Sequence, residues 1–231
     1  MPIMANHKKK IGKCIMMVVT LAFALTACQL KAISPETAPA SFSFKKLLII
    51  PFKDMYRIYG DNVSFRCPLC KNVYMIEEVA PGADDFLTEH LFDLMKTHKN
   101  FELLPSEHAR EVMSTLLSES GKELSELELL LETGRHIGAD AVMAGRIYRF
   151  KKRIGTEYAV EFPASVTFDL ILINVDDGRI LWTGFFDETQ SSLFENLLHF
   201  GKFVKRKGKW ITAEQMAVSG LEDMLKEFPE P

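Results

Sequence analysis

Two cysteines separated by two residues form the sharpest chemical motif in the chain, in the run Cys67-Pro68-Leu69-Cys70. This spacing brings two thiols to one tight turn, where they can close a disulfide, bind a thiophilic metal, exchange with other thiols, or remain as free thiols without a role. Redox catalysis is the least favoured of the four. An active thiol pair sits at a helix N-terminus, whereas the residues after Cys70 have the pattern of a strand.

Zinc at Cys67 and Cys70 would need ligands from elsewhere, because a structural zinc ion has four of them. His90 and His98 are candidates, as is a second chain. The two histidines lie eight residues apart on one predicted helix, about 12 Å along its axis, so they cannot share one ion by themselves. No other motif calls for a cofactor.

The sequence gives no sign of catalysis. It contains no phosphate-binding glycine loop, no serine nucleophile elbow and no metalloprotease motif. We therefore expect no catalytic residues and no enzymatic activity.

The first 27 residues have the organisation of a signal peptide. Residues 8–13 carry four lysines, and the twelve apolar residues 14–25 precede Thr26, Ala27 and Cys28. As a helix, those twelve residues rise about 18 Å, whereas the hydrocarbon core of a membrane is roughly 30 Å thick. The pattern therefore predicts an export signal rather than a transmembrane span.

Leu25, Thr26, Ala27 and Cys28 resemble the lipobox of bacterial lipoproteins. In that family, the signal peptidase recognises the small residues before the cysteine, diacylglycerol alkylates its thiol, and an acyl chain such as palmitate is often added to the new amine. Two or three acyl chains give a lasting anchor, where one gives a reversible one. The resemblance implies that Cys28 is lipidated and holds the protein at a membrane of the cell envelope.

Gln29 follows Cys28, at the position where enterobacterial lipoproteins retained in the inner membrane carry aspartate. The resemblance thus implies an outer-membrane anchor that faces the periplasm. Residues 28–43 are rich in proline, serine and alanine and predict an extended linker. Residues 44–231 then form the folded domain. In this oxidising compartment, a disulfide is the simplest product of Cys67 and Cys70.

The folded part reads as a mixture of strands and helices. A central strand is expected to end at Pro51, followed by a long loop over residues 53–82 that could contain a small hairpin. Helices are expected over residues 83–100, 106–117, 125–138, 192–200 and 212–228, with short strands at 101–104 and 140–150. The clearest hairpin joins residues 166–173 and 180–186 through Asp177 and Gly178.

Both faces of that hairpin carry large apolar side chains, which indicates that helices cover both sides of the sheet. The fold class expected is α/β. We expect a single domain in which a mixed sheet of four or five strands has helices on both faces.

Two stretches of the domain carry a resemblance to known protein domains. Residues 138–146 lead from Gly138, Ala139 and Asp140 into a strand, and residues 176–182 close a hairpin. Both resemble domains of the curli-secretion lipoprotein, of the lipoproteins that activate penicillin-binding proteins, and of Geobacter-type lipoproteins. The resemblance implies a fold and a compartment, and no catalytic residues. The loop at 53–82 is outside the shared pattern, and the curli protein's membrane-inserting hairpins have no clear equivalent.

Charge excludes one class of partner. The chain has a formal net charge of −3, and removal of residues 1–27 with their four lysines changes it to −7. An acidic protein lacks the clustered cations that neutralise nucleic-acid phosphates, so no nucleic acid is expected to bind. Four aromatic residues could instead form a contact surface for proteins, although core packing is their ordinary role: Tyr56, Tyr59, Trp182 and Trp210.

These observations favour a non-enzymatic envelope lipoprotein that docks onto protein partners as an accessory of a secretion or surface-assembly system, with oligomers allowed. One alternative is a thiol or metal-binding module that uses Cys67 and Cys70. Another is a periplasmic protein that binds a small ligand or a polymer.

Overall fold

The computed structural model describes residues 44–97, 100–119, 124–157, 159–190 and 210–229. The predicted signal peptide, Cys28 and the linker lie outside these ranges, as do His98 and the helix expected over residues 192–200.

The described chain contains both strands and helices. The strands are β1 (Lys46–Asp54), β2 (Val63–Arg66), β3 (Val73–Ile76), β4 (Glu102–Leu104), β5 (Ala141–Lys151), β6 (Ile154–Gly155), β7 (Val160–Phe162), β8 (Ser165–Asn174) and β9 (Ile180–Thr189). The helices are α1 (Met55–Tyr59), α2 (Ala83–Met95), α3 (Glu107–Glu119), α4 (Glu126–Ile137) and α5 (Ala213–Leu225).

A five-stranded sheet forms the centre, in the order β4-β1-β5-β8-β9. The first three strands run parallel, and β5, β8 and β9 are antiparallel neighbours. Two small sheets, β2-β3 and β6-β7, accompany it. The structure confirms the predicted single mixed α/β domain and the hairpin that became β8 and β9.

Alternate residues of β1 enter two separate hydrophobic cores. Leu47 and Ile49 pack on one face of the sheet with residues of α2 and α5. Leu48 and Ile50 pack on the other face with residues of α3, α4 and the β2-β3 hairpin. Helices therefore cover both faces, which explains why so many strand residues of either parity are apolar.

The prediction that the first strand ends at Pro51 was wrong. β1 continues to Asp54, and its register with β5 shifts between Ile50 and Lys53. A proline has no N–H to give to a ladder, and the irregular pairing at this point removes the need for one. The N–H of Phe52 leaves the ladder too and donates to Thr88 Oγ1 at 2.9 Å.

About half of the segment predicted as a long loop forms helices and strands. Asp54 caps the short helix α1 by accepting from the N–H of Arg57, and the β2-β3 hairpin follows. The small hairpin considered from the sequence is thus present.

Helix ends follow the local signals closely. The predicted capping boxes are present, Ser125 with Glu128 on α4 and Thr212 with Gln215 on α5. Gly138 ends α4 with a left-handed backbone (φ 79°), which a side chain would disfavour. Helix α2 ends at Met95, earlier than the sequence suggested. Within the described ranges, no helix combines the length and apolar character that a membrane span requires.

Candidate functional site

A charged pair lies inside the sheet, between β5 and β8. Arg146 and Asp169 are direct register partners, and they are only 3% and 2% exposed. The guanidinium donates twice to the carboxylate, from Nε to Oδ1 at 3.1 Å and from Nη2 to Oδ2 at 2.8 Å. Bidentate geometry of this kind is needed to offset the loss of hydration of both charges.

Two stacked tyrosines extend the pair toward the β2-β3 hairpin. Tyr148 donates its hydroxyl to Asp169 Oδ2 at 3.0 Å, and its ring stacks on Tyr74 with centroids 4.1 Å apart. Burial raises the pKa of both phenols, so both keep their protons. Burial also raises the pKa of the Asp169 carboxyl, against the opposing effect of Arg146. The carboxylate itself holds the pKa of Arg146 above its ordinary value, although burial opposes this.

The thiol pair lies in the turn that joins β2 and β3. Cys67 is fully buried, Cys70 is half-buried, and both are free thiols. The backbone N–H of Cys70 donates to Cys67 Sγ at 2.9 Å, and Cys70 Sγ lies 3.4 Å from the Tyr74 hydroxyl. Lys71 takes a left-handed backbone (φ 65°) to close the turn.

The hairpin packs on the sheet so that the thiols meet the carboxylate of the buried pair. The two Sγ atoms and a carboxylate oxygen of Asp169 all lie within 4.8 Å of one another. His90, considered above as a third ligand, is not near them. Its Nδ1 bonds to the Phe86 carbonyl oxygen at 3.0 Å on α2, which packs on the opposite face of the sheet.

A cleft of about 610 Å³ opens beside this cluster, between α3, α4 and the sheet. Its lining is mainly apolar, and its residues come from six parts of the chain: Ile50, Pro51, Phe52, Lys53, Leu69, Arg110, Met113, Ser114, Leu117, Leu124, Glu126, Leu129, Leu130, Ala144, Gly145, Arg146 and Ile171. This volume lies in the range of known ligand and side-chain pockets. Leu69, from the turn that carries the two thiols, forms part of its wall.

Arg146 connects the cleft to the cluster. The guanidinium lines the cleft, and its Nη1 is 3.5 Å from Glu126 Oε2. Among the described residues, Nη1 has no hydrogen-bond acceptor of adequate geometry. Since a buried donor without an acceptor is costly, this atom marks a place where a bound group could accept a hydrogen bond.

The aromatic residues proposed as a contact surface do not lie together. Tyr59 contacts Phe65 of the hairpin with tilted rings, Trp182 packs against Phe228 in the core on the opposite face of the sheet, and Tyr56 contacts both cores. The backbone of Trp210 bonds to Glu157. None of these four residues lines the cleft.

Sequence reasoning missed Arg146, Tyr148 and Asp169 as members of a site. A signal for two of them was present, since Asp169 is the one charged residue of β8 and Arg146 follows the uncharged residues 141–145 that begin β5. Such charges are almost never fully buried unless they are paired. What the sequence lacks is the register that places them opposite each other.

The two thiols are expected to react at different rates. In reduced, metal-free protein, iodoacetamide should modify half-buried Cys70 at least about tenfold faster than Cys67, which is accessible only when the turn opens. Burial also raises the pKa of the Cys67 thiol, so its rate should continue to rise as the pH becomes alkaline. Mass spectrometry of the tryptic peptides over time measures both rates. Equal rates at neutral pH would contradict the buried position of Cys67.

Comparison with known proteins gives remote similarities. No family model and no curated protein matches the chain. A single-residue variant of the PelC dodecamer from Paraburkholderia phytofirmans is 11% identical, with a TM-score of 0.47, over 84% of this chain and 96% of that one. The LpoB C-terminal domain from Salmonella enterica is 16% identical, with a TM-score of 0.37, over 63% and 83%.

Lipoprotein GNA1162 from Neisseria meningitidis is 13% identical, with a TM-score of 0.38, over 70% of this chain and 92% of that one. Of these three neighbours, GNA1162 is described as a lipoprotein. All three TM-scores are below 0.5.

Proposed function

We propose that this protein is a lipid-anchored envelope lipoprotein that acts without catalysis, by docking a protein partner in the cleft between α3 and α4. The observation that carries the proposal is the cleft itself, about 610 Å³ with a mainly apolar lining. Its rim includes Leu117, which is 59% exposed. An exposed leucine at the mouth of an apolar cleft is typical of a surface that a partner covers.

The charges around the cleft indicate what fits it. The cleft lining contains one acidic side chain, Glu126, and three basic ones, Lys53, Arg110 and Arg146. Arg146 in addition has the Nη1 donor described above. The partner is therefore a protein segment that inserts an apolar side chain and presents a carboxylate or carbonyl oxygen beside it. A partner of this kind gains apolar burial and supplies an acceptor to a donor that has none in the part of the chain that the structure describes.

The predicted tether suits such a role. Lipid on Cys28 would hold the protein at the outer membrane, and residues 28–43 would separate the domain from the bilayer. These sixteen residues reach at most about 55 Å when fully extended. A domain on such a tether searches the periplasm close to the membrane, where secretion and surface-assembly machines are anchored.

Site-specific photocrosslinking in living cells tests the proposal. A photoreactive amino acid at Leu117 should form a crosslink to one protein partner, identified by mass spectrometry. The same amino acid at Phe162 on β7 is the matched control, because Phe162 is 57% exposed and is not part of the cleft. The control position should give no such product.

A second variant separates docking from chance proximity. Met113→Glu places a carboxylate in the apolar lining and should reduce the Leu117 crosslink by about tenfold or more, because desolvating an unpaired charge costs more than the 1.4 kcal/mol that tenfold represents. Crosslinks that form equally at Phe162, that survive Met113→Glu, or that reach only lipid or a second copy of this chain would contradict docking.

A further inference from the structure

We propose that Cys67, Cys70 and Asp169 together bind one thiophilic divalent metal ion, with zinc as the first candidate. The observation behind the proposal is the meeting of two sulfur atoms and a carboxylate oxygen within 4.8 Å, from a hairpin turn and a strand about a hundred residues later in the chain. The proposal does not depend on the docking function, because none of the three proposed ligands lines the cleft.

The distances suit a tetrahedral ion. Zinc binds sulfur at about 2.3 Å and carboxylate oxygen at about 2.1 Å, which places two sulfur ligands about 3.8 Å apart and sulfur and oxygen about 3.6 Å apart. The three atoms are already within 4.8 Å of one another. Binding thus needs a contraction of about 1.2 Å at most, which rotation of two cysteine side chains in a turn can supply.

Asp169 has room for a metal ion. A carboxylate has about four lone-pair sites, and three of them accept hydrogen bonds, two from Arg146 and one from Tyr148. These two donors would act as the outer shell that orients a carboxylate ligand. The fourth site is available to the ion.

Each of the two sulfur atoms also has a hydrogen-bonding group beside it. The backbone N–H of Cys70 donates to Cys67 Sγ, an interaction that stabilises a thiolate more than a thiol. The Tyr74 hydroxyl lies beside Cys70 Sγ and can donate to it. When the ion binds, each thiol loses its proton to solvent, so two positive charges replace two protons and the buried cluster keeps its net charge.

Three protein ligands leave a fourth position for water, which can enter on the side of half-buried Cys70. This ligand set of two thiolates and one oxygen selects a thiophilic metal over magnesium or calcium, which prefer oxygen ligands alone. A disulfide between the same sulfurs is the competing chemistry, and it excludes the metal.

Cobalt substitution tests the proposal on the mature lipoprotein, extracted in mild detergent, reduced and stripped of metal. Titration with Co²⁺ should give one equivalent bound, with thiolate-to-cobalt charge-transfer bands and intense tetrahedral d–d bands. Zinc, which loses no ligand-field energy in a tetrahedral site, should displace the cobalt. Cys70→Ser should weaken zinc binding by more than the roughly 10- to 100-fold loss that removal of an outer-shell partner causes.

His90→Ala is the matched control and should bind zinc as the unchanged protein does, while circular dichroism verifies that both variants are folded. Thiol trapping in intact cells supplies the second measurement and should find both cysteines free of a disulfide. Unchanged affinity in Cys70→Ser, absence of charge-transfer bands, or a Cys67–Cys70 disulfide in most molecules would overturn the metal site. None of these outcomes affects the crosslinking test at Leu117.

Discussion

Replacement of Asp169 with asparagine is expected to lower the free energy of unfolding of the metal-free protein by about 3–5 kcal/mol. Asparagine has the shape of aspartate, so the variant opens no cavity, yet it removes the charge that faces Arg146. The guanidinium would then lie 97% buried beside a neutral amide, with Glu126 as its other acidic neighbour. Because ordinary domains are stable by only about 5–15 kcal/mol, a loss of this size is severe.

Removal of both charges should cost less than removal of one. Arg146→Met combined with Asp169→Leu replaces the pair with apolar side chains, which is often neutral or stabilising for a buried ion pair. Tyr148 would lose the acceptor of its hydroxyl, at a cost of about 1–3 kcal/mol. The double variant should therefore unfold at a urea concentration between those of Asp169→Asn and the unchanged protein.

Urea unfolding followed by circular dichroism measures these differences. Glu132→Gln is the control, since it breaks an exposed ion pair with Arg135 on α4, and such pairs contribute under about 1 kcal/mol. If Asp169→Asn were no more destabilising than Glu132→Gln, the pair would not be buried as the structure places it.

Local signals in the sequence were sufficient for much of the fold. Capping boxes at Ser125 and Thr212 use hydrogen bonds that span three residues, so the helix starts could be predicted without knowledge of the tertiary structure. The β8-β9 hairpin is likewise local, because its turn and its apolar residues are adjacent in the chain. Apolar residues at both odd and even positions of the strands correctly indicated that helices cover both faces of the sheet.

The site could not be predicted in the same way, because long-range register creates it. Asp169 meets Arg146 only because β8 pairs with β5 in one particular register, and a shift of one residue would turn both charges away from each other. Cys67 and Cys70 reach Asp169 through a hairpin that packs on the sheet from far away in sequence. The two cysteines at 67–70 could be recognised in the sequence, whereas the proximity of Asp169 to them could not.

Conversion of Cys28 to alanine is expected to abolish lipid attachment almost completely. A thiol is the only side chain that the lipobox chemistry alkylates, so Cys28→Ala should incorporate no labelled palmitate. The lipoprotein signal peptidase acts after lipidation, and the variant should therefore accumulate as a precursor that still carries residues 1–27. Labelling of growing cells, followed by mass spectrometry of the N-terminal peptide, measures both effects.

Cys14→Ala is the matched control, since Cys14 lies in the same predicted signal peptide, at the start of its apolar stretch and away from the lipobox. It should be lipidated, cleaved and recovered with membranes as the unchanged protein is. A single acyl chain associates with membranes only with a constant of about 10⁴ M⁻¹, whereas two or three chains hold a protein permanently. The Cys14→Ala protein should thus remain in the membrane fraction when the membranes are diluted. Palmitate incorporation that persists in Cys28→Ala, or loss of it in Cys14→Ala, would show that the anchor is elsewhere.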